Sequence, residues 1–348
     1  MFRDLLQKVM RREDLTASEA AHAMDDIVEG RAAPAEVAGL LVGLAMKGER
    51  PAEIVGLARS MRSRAVTIAL PPSGTVDMCG TGGDSAGTFN ISSVASIVTA
   101  ACGLTMAKHG NRAVSSQCGS ADVFEALGVN VTASPATVER CLQQAGLAFL
   151  FAPSFHPSMR NVASVRRDLG VRTAFNLLGP LTNPTQPAFQ IVGVPRPELT
   201  ELIARALSML GSTRAWVVHG ADGLDELSTT GYTKVSECHV GAVNTFYVHP
   251  ADVGLPKAHL ADLAGGDASV NAAIVRRVLA GETGAARDIV LLNAGAALFV
   301  AGRVPHLTDG MRVAAGAIDS GAAQRTLDLV VRLSTEVSSD PGQDGGAS

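Results

Sequence analysis

The segment from Val76 to Ala101 constrains the fold more than any other part of the chain. A short apolar stretch comes first, then a loop with glycines at positions 80, 82, 83 and 87, then an apolar run of helical character from Ile91. A strand, a glycine loop and a buried helix in this order are typical of a strand–helix unit in a sheet. Glycines in such a loop also let backbone N–H groups converge on an anion.

The alternation of strand-like and helix-like segments continues downstream and predicts the fold class. Strand candidates are 76–79, 104–107, 129–132, 148–151, 191–194 and 215–219, with a less buried pair at 232–237 and 244–248. Helical candidates are 91–101, 121–127, 135–145, 197–210, 269–280, 285–301 and 311–333. We therefore predict an α/β domain at residues 73–335, with a mostly parallel central sheet covered by helices.

Residues 1–70 differ because they contain only helical signals. Thr16 and Glu19 form a capping-box pattern, and Pro34 and Pro51 each open a further helix. We predict a small all-helical domain that ends at the Pro-Pro-Ser-Gly sequence of residues 71–74. The polar segment 336–348 is predicted to be a disordered tail.

Composition limits the partners and the compartment. The net charge is −4 and no basic stripe is present, so a nucleic-acid partner is not expected. The five cysteines lack the even number and the spacing of a disulfide framework or a zinc site, which is typical of a reducing cytosol. Because there is neither a signal peptide nor an apolar run of membrane-spanning length, we expect a soluble cytoplasmic protein with no membrane partner.

A second segment rich in hydrogen-bond donors follows the apolar helix candidate. Its polar members are Lys108, His109, Asn111, Arg112, Ser115, Ser116 and Ser120. A glycine cluster alone is more often a plain turn, and this one has neither Rossmann nor Walker spacing. Two donor-rich loops around one apolar helix are harder to explain by packing, so together they predict a phosphate site. Asn90 is a candidate N-cap of that helix, and Ser92 and Ser93 place hydroxyls in its first turn.

Other polar residues have two interpretations. The neighbouring carboxylates Asp225 and Glu226 are either a solvated surface pair or, beside a phosphate site, ligands of Mg²⁺, which takes hard oxygen ligands. Asp84 is expected either to hold the glycine turn, to bond ribose hydroxyls or to reach a magnesium-bound water. Cys79 and Cys118 lie in the loops, but a cysteine nucleophile needs an adjacent base, and small apolar cysteines are the favoured interpretation.

Four segments carry a resemblance to a known family. They are GTGGDSAGTFNISS, KHGNRAVSSQCGSAD, FHPSMRNVASVRRDLGVRTAFNLLGPLTNP and HGADGLDELS. In this order they resemble the anthranilate phosphoribosyltransferases, over about residues 1–335. The resemblance implies a pentosyltransferase that moves the phosphoribosyl group of phosphoribosyl pyrophosphate to the amine of anthranilate and releases pyrophosphate, the second step of tryptophan biosynthesis from chorismate. Such a reaction needs positioning and electrostatic clamping of pyrophosphate, and no covalent nucleophile on the protein.

The resemblance also implies roles for individual residues. To phosphoribosyl pyrophosphate it assigns Gly80, Gly83, Asp84, Thr88, Asn90, Ile91, Ser92, Ser93, Lys108, His109, Gly110, Asn111, Arg112, Ala113, Val114, Ser115, Ser116 and Ser120. To anthranilate it assigns Gly80, Asn111 and Arg166, and to Mg²⁺ it assigns Ser92, Asp225 and Glu226. It further implies that helices around residues 159–182 complete the helical domain as a lid, and that two copies form a homodimer through this domain.

Several positions depart from the family pattern or allow another use. Ser93 stands where threonine is common, Cys118 where serine is common, and Gln117 where lysine often occurs. Arg112 is expected to serve either phosphate or an internal ion pair, while His109 and His156 are secondary candidates for the pocket wall. Two other functions stay open, a pyrimidine nucleoside phosphorylase-like enzyme of the same fold and a non-catalytic relative that binds nucleic acid.

Overall fold

The computed structural model describes residues 2–69, 74–84, 86–113 and 117–336. Seven strands form one mixed sheet in the order β3-β2-β1-β4-β5-β6-β7. The strands are β1 (Val76–Gly80), β2 (Met106–Gly110), β3 (Leu147–Phe151), β4 (Phe189–Gly193), β5 (Arg214–Gly220), β6 (Thr233–His239) and β7 (Ala242–Val248). Strands β1 to β5 pair in parallel, while β6 and β7 run antiparallel at one edge. The predicted α/β class with a mostly parallel sheet is confirmed.

Helices make up most of the remaining described chain. They are α1 (Phe2–Met10), α2 (Ala17–Val28), α3 (Pro34–Lys47), α4 (Pro51–Ser63), α5 (Ile91–Ala101), α6 (Ser120–Ala126), α7 (Pro135–Ala145), α8 (Ala152–Phe155), α9 (Ala163–Leu169), α10 (Ala174–Leu177), α11 (Leu199–Met209), α12 (Ala268–Leu279), α13 (Ala285–Val300), α14 (Leu307–Asp319) and α15 (Ala322–Thr335). Short 3-10 helices lie at Pro157–Val162, Gly179–Leu181, Pro250–Val253 and Leu260–Leu263. None of the helices described has both the length and the apolarity that crossing a membrane requires.

The sheet is buried on both faces. Along β5, Trp216 and Val218 enter one apolar core together with α5 and α13, whereas Ala215 and Val217 enter a second core with α11 and the N-terminal helices. This two-residue alternation is the side-chain period of a strand, and apolar residues on both faces are expected in a parallel sheet.

The N-terminal helices pack on one another and on part of the later chain. Residues 157–182, which we call the cover segment, contact α2 and α3 and share their apolar core. The predicted capping box of α2 is confirmed, because Thr16 Oγ1 accepts from the Glu19 N–H and the Glu19 carboxylate accepts from the Thr16 N–H. The domain boundaries, and the completion of the helical domain by residues 159–182, stay predictions that these contacts support.

Three predicted elements were wrong in detail. Residues 129–132 form no strand, because the Asn130 side chain accepts from the Thr132 N–H and turns the chain locally. Residues 311–333 form two helices, α14 and α15, since the chain turns at Gly321 with a φ of +72°. The strand predicted at 104–107 begins later and reaches Gly110, so Lys108 and His109 are strand residues. The predicted tail lies outside the described residues from 337 onward.

The carboxyl ends of the parallel strands carry the loops that the sequence singled out. β1 ends in the glycine loop, β2 ends before residues 111–113, and β5 leads into the loop with Asp225 and Glu226. β1 lies between β2 and β4, which is where the strand order reverses. Ligands of open α/β sheets bind at such a switch point, outside the carboxyl ends of the strands.

Gly56 allows α4 to lie directly against α2. A Cβ at this position would overlap the carbonyl oxygen of Ala17 and lie 2.7 Å from the Cβ of Ala20. We expect Gly56→Ala to lower the free energy of unfolding by about 1–3 kcal/mol, because the helices would have to move apart. Equilibrium denaturation with urea measures this loss.

Gly316, on the exposed side of α14, is the matched control. There an added Cβ would meet no heavy atom within 4 Å among the described residues. Gly316→Ala should therefore raise the free energy of unfolding by up to about 1 kcal/mol through helix propensity. The same effect from both substitutions would contradict the close approach of α2 and α4.

Candidate active site

A cavity of about 840 Å³ opens at the carboxyl edge of the parallel strands, with the cover segment forming another of its walls. The structure brings every described residue of the predicted site to this cavity. They are Gly80, Gly83, Asp84, Thr88, Asn90, Ile91, Ser92, Ser93, Lys108, His109, Gly110, Asn111, Arg112, Ala113, Ser120, Arg166, Asp225 and Glu226. The predicted site residues Val114, Ser115 and Ser116 lie outside the described part of the chain.

The acidic pair lies against the glycine loop and the start of α5. The Gly82 N–H donates to Asp225 Oδ2 at 3.1 Å, and the Ser92 N–H donates to Glu226 Oε1 at 3.2 Å. Gly80 has to lack a side chain, since a Cβ there would overlap the carboxylate of Asp225. The expectation of a solvated surface pair therefore does not hold, and the carboxylates belong to the cavity wall.

Electrostatics make this pair a favourable place for a cation. Burial raises the pKa of both carboxyls, and repulsion adds to it, from Asp84 on Asp225 and from Asp225 on Glu226. A divalent cation would relieve this repulsion. No group of three or more His, Cys, Asp or Glu side chains gathers for a metal among the described residues. A metal held here would thus take few protein ligands, which is usual for Mg²⁺.

Lys108 brings a buried positive charge to the same wall. Its side chain is 2 % exposed, and Nζ donates to the Met78 carbonyl oxygen and, at 3.4 Å, to Ser92 Oγ. Asp77, which is fully buried, accepts from the His109 N–H at 3.2 Å and from Asn183 Nδ2 at 2.9 Å. These bonds tie the ends of β1 and β2 together, so Lys108 is held on a rigid strand.

His109 and His156 lie side by side in the cavity wall, with ring centroids 5.5 Å apart. His109 Nδ1 lies 3.1 Å from the Gly179 carbonyl oxygen, which can only accept, so Nδ1 carries the proton. Burial lowers the pKa of His109 to about 3 and also lowers the pKa of His156. Neutral His109 therefore presents Nε2 as an acceptor, and no described residue satisfies it.

The second loop is shaped by ion pairs and amide contacts. Arg112 pairs with Asp122 at 3.1 Å and with Glu125 at 2.7 Å, the internal ion pair that the sequence left open. Asn90 is the N-cap residue of α5, as predicted, but its side chain makes no cap hydrogen bond. It instead donates to the Cys118 carbonyl at 3.2 Å and accepts from Asn271 Nδ2 at 2.9 Å, which joins the two loops to α12.

Of the two neighbouring arginines in α9, only Arg166 lines the cavity. Its guanidinium carbon lies 5.8 Å from the centre of the Phe175 ring. The side chain of Arg167 is 79 % exposed and lies 3.6 Å from the Asp168 carboxylate. The helix thus aims one cation inward and the other at solvent, as the 100° step between adjacent residues requires.

The cysteines at the cavity are not activated. Burial raises the pKa of the Cys79 thiol to about 12 and also raises the pKa of Cys118. A thiol rather than a thiolate is present at neutral pH, and a thiol is a poor nucleophile. Small apolar cysteines, rather than a nucleophile, were the favoured interpretation of the sequence, and the raised pKa of both thiols supports it.

Sequence reasoning missed several residues of the cavity, among them Thr81, Arg172 and Asn271. The Arg172 Nη2 atom donates to the Thr81 carbonyl oxygen at 3.3 Å. Asn271 reaches Asn90 from a position 181 residues later in the chain. Arg172 could have been recognised, because it is a cation within one of the four segments that carry the family resemblance. No pattern of neighbouring residues singles out Asn271.

Known proteins share this arrangement over nearly the whole chain. A family model described as the a/b domain of a glycosyl transferase family matches residues 73–324, and the helical bundle domain of that family matches residues 3–65. The anthranilate phosphoribosyltransferase of Moorella thermoacetica is 53% identical over 331 residues, which cover 95% of this chain and 98% of that protein.

Two solved structures extend the similarity to three dimensions. The anthranilate phosphoribosyltransferase of Thermus thermophilus superimposes with a TM-score of 0.90 at 45% identity, covering 95% of this chain and 99% of that one. The enzyme of Saccharomyces cerevisiae, in complex with phosphoribosyl pyrophosphate and Mg, superimposes with a TM-score of 0.89 at 27% identity, covering 97% and 98%. The relatives thus match both the helical and the α/β parts.

The buried neutral state of His109 predicts a pH dependence of stability. Its pKa is about 3 in the folded chain and about 6.5 in the unfolded chain, so the unfolded state binds the extra proton first. The stabilisation from neutral His109 is complete above about pH 6.5 and is lost as the pH falls toward 3, by up to about 1.4 kcal/mol per pH unit. Urea denaturation at a series of pH values measures this slope.

The variant His109→Asn isolates this contribution, since asparagine keeps a donor for the Gly179 carbonyl and does not titrate. The variant should lose less stability than the native chain between pH 6.5 and pH 4. Parallel slopes for the two proteins would show that His109 accepts a proton within the fold at its ordinary pKa.

Proposed function

The chain belongs to the anthranilate phosphoribosyltransferases, a family of glycosyltransferases, and we propose that the cavity at the carboxyl edge of its sheet carries the family's reaction. The enzyme transfers the phosphoribosyl group of phosphoribosyl pyrophosphate to the amine of anthranilate and releases pyrophosphate, in tryptophan biosynthesis. The observation that carries the proposal for the site is the contact of a half-buried acidic pair, Asp225 and Glu226, with the glycine loop and the start of α5, beside the buried Lys108.

Phosphoribosyl pyrophosphate is proposed to bind along the two donor-rich loops. Those residues are Gly80, Gly83, Asp84, Thr88, Asn90, Ile91, Ser92, Ser93, Lys108, His109, Gly110, Asn111, Arg112, Ala113 and Ser120, with Val114, Ser115 and Ser116 proposed from the family pattern. Lys108 suits a phosphate oxygen as a point charge held on a rigid strand. Arg112 is already paired with Asp122 and Glu125, so its proposed role is to hold the loop in shape.

Mg²⁺ is proposed to bind at Ser92, Asp225 and Glu226. The fit comes from the donor set, which consists of a hydroxyl and two half-buried carboxylates whose pKa is raised by burial and, in addition, by repulsion from neighbouring carboxylates. When bound, the ion would neutralise charge on the pyrophosphate leaving group. A relative from Saccharomyces cerevisiae has been solved with both this donor and Mg, which supports the assignment.

Anthranilate is proposed to bind between the cover segment and the end of β2. Arg166 supplies a cation for the carboxylate, and Asn111 and Gly80 supply the facing wall. The unsatisfied Nε2 atom of His109 fits an N–H of the amine. In this orientation the amine attacks the anomeric carbon while the bond to pyrophosphate breaks, and the chain's task is to position both partners.

The homodimer and the cytoplasmic location are further proposals. In the helical part, α1 and α3 expose Met10 and Met46, each 73% accessible, which suits a contact with a second copy. The five cysteines, all in the described part of the chain, are thiols and form no disulfide with one another, which supports a reducing compartment.

The metal assignment predicts the effect of removing its carboxylates. Replacing Asp225 by Asn and Glu226 by Gln should lower magnesium-dependent turnover on the order of 100-fold or more, because the ion loses its charged ligands. The double variant should fold at least as well as the native chain without metal, since it removes the repulsion between two half-buried carboxylates. Turnover against magnesium concentration, and thermal unfolding, measure the two effects.

Glu198→Gln is the control for charge, because that carboxylate is 61% exposed and lies in a surface ion pair with Arg196. It should leave the magnesium dependence unaltered. A double variant of Asp225 and Glu226 that keeps native magnesium dependence would place the metal elsewhere.

The acceptor assignment predicts a selective effect of Arg166. Arg166→Ala should raise the Michaelis constant for anthranilate by about 10-fold to 100-fold, the worth of a hydrogen bond between charged groups, and change that of the donor by less than about 3-fold. Arg167→Ala is the matched control and should alter neither constant, since that side chain points to solvent. Equal increases for the two substrates would reject the assignment of Arg166 to the carboxylate.

A further inference from the structure

Three arginines of the cover segment line the cavity, namely Arg160, Arg166 and Arg172, and one of them reaches the glycine loop. Arg172 Nη2 donates to the Thr81 carbonyl oxygen at 3.3 Å. Its Nη1 atom lies where a side chain at Gly83 would have to go, since a Cβ at that position would overlap the guanidinium. Arg172 is therefore a direct bridge between the cover segment and the loop at the end of β1.

The surroundings of Arg172 are strongly charged. Asp84 and Asp225 both lie close enough to stabilise its positive charge, while burial and the nearby Arg196 oppose it and lower its pKa. The guanidinium thus stands beside Asp225, one of the three proposed metal ligands. A guanidinium has five N–H donors in a planar fork, and the Thr81 carbonyl takes only one of them.

Both this contact and the backbone conformation require a glycine at position 83. Its φ is +83°, which an L side chain rarely adopts. The absence of a Cβ lets the guanidinium of Arg172 approach the loop closely. A guanidinium fork and the N–H groups of a glycine loop both bind anions, and here they meet at the same wall of the cavity.

We propose that Arg172 is a further donor-binding residue, which contacts the pyrophosphate group of phosphoribosyl pyrophosphate from the side of the cover segment. This inference rests on the proposed function of the cavity. The leaving group carries several negative charges beside Asp225 and Glu226, and a planar fork matches phosphate oxygens in a bidentate way. Binding of the donor would then also fasten the cover segment to the α/β part of the chain.

Binding of inorganic pyrophosphate with Mg²⁺, measured by calorimetry on the full chain, tests this directly. We expect Arg172→Ala and Arg172→Gln to raise the dissociation constant for pyrophosphate at least 10-fold. Arg172→Lys should raise it about 3-fold, because lysine keeps the positive charge and loses the planar fork of donors. In steady-state assays the Michaelis constant for the donor should rise in parallel, while that for anthranilate stays within 2-fold. Thermal unfolding of each variant shows that it is folded.

Arg196→Ala is the matched control, because it removes a neighbouring positive charge whose side chain is 62% exposed and does not line the cavity. It should leave pyrophosphate binding unchanged. Native affinity in Arg172→Gln would overturn the inference and leave Arg172 with only the Thr81 contact, and a larger shift for anthranilate than for the donor would assign it to the acceptor. If the native chain itself binds no pyrophosphate with Mg²⁺, the proposed function fails rather than this inference alone.

Discussion

The fit of the Asp225 carboxylate against the glycine loop is the contact on which the rest of the site depends. It requires two glycines, since a Cβ at Gly80 would overlap the carboxylate and a Cβ at Gly193 would overlap the backbone of Asp225. Because β1 and β4 are neighbours, these two glycines lie side by side at the switch point of the sheet. The loop after β5 can thus enter the gap and bring two acidic side chains to the end of β1.

Buried polar bonds hold this arrangement in place. Asp77 and Asn183 tie β1, β2 and the end of the cover segment together, and Asn183 also donates to the Ala107 carbonyl oxygen at 2.8 Å. All these groups are inaccessible to water, so an unsatisfied partner would be costly. This network fixes the position of Lys108, which lies in β2, through contacts with neighbouring parts of the sheet rather than through the loop that follows it.

The sequence predicted what is encoded locally. The glycine loop, the apolar helix α5 and the alternation along β5 each follow from a short string of residues, and the fold class follows from their order. Residues 129–132 were wrongly predicted to form a strand, because the Asn130 side chain binds the local backbone in competition with strand pairing. The position of Asn90 at the N-cap of α5 was predicted correctly, whereas its side-chain contact with Asn271 was not, because Asn271 lies in a distant helix that no local pattern connects to Asn90. Arg172 was missed because its role depends on how the cover segment lies over the loop.

The five cysteines, three of them buried and two half-buried, give the native chain a low reactivity toward thiol reagents. Burial raises the pKa of every one, including those remote from the cavity at Cys102, Cys141 and Cys238. Maleimide and iodoacetamide dyes attack thiolates, so at neutral pH they find little to modify. A single cysteine introduced on the solvent side of α9 would consequently carry a fluorophore with little background labelling. Its distance to a second probe would report motion of the cover segment in an enzyme that keeps all its native cysteines.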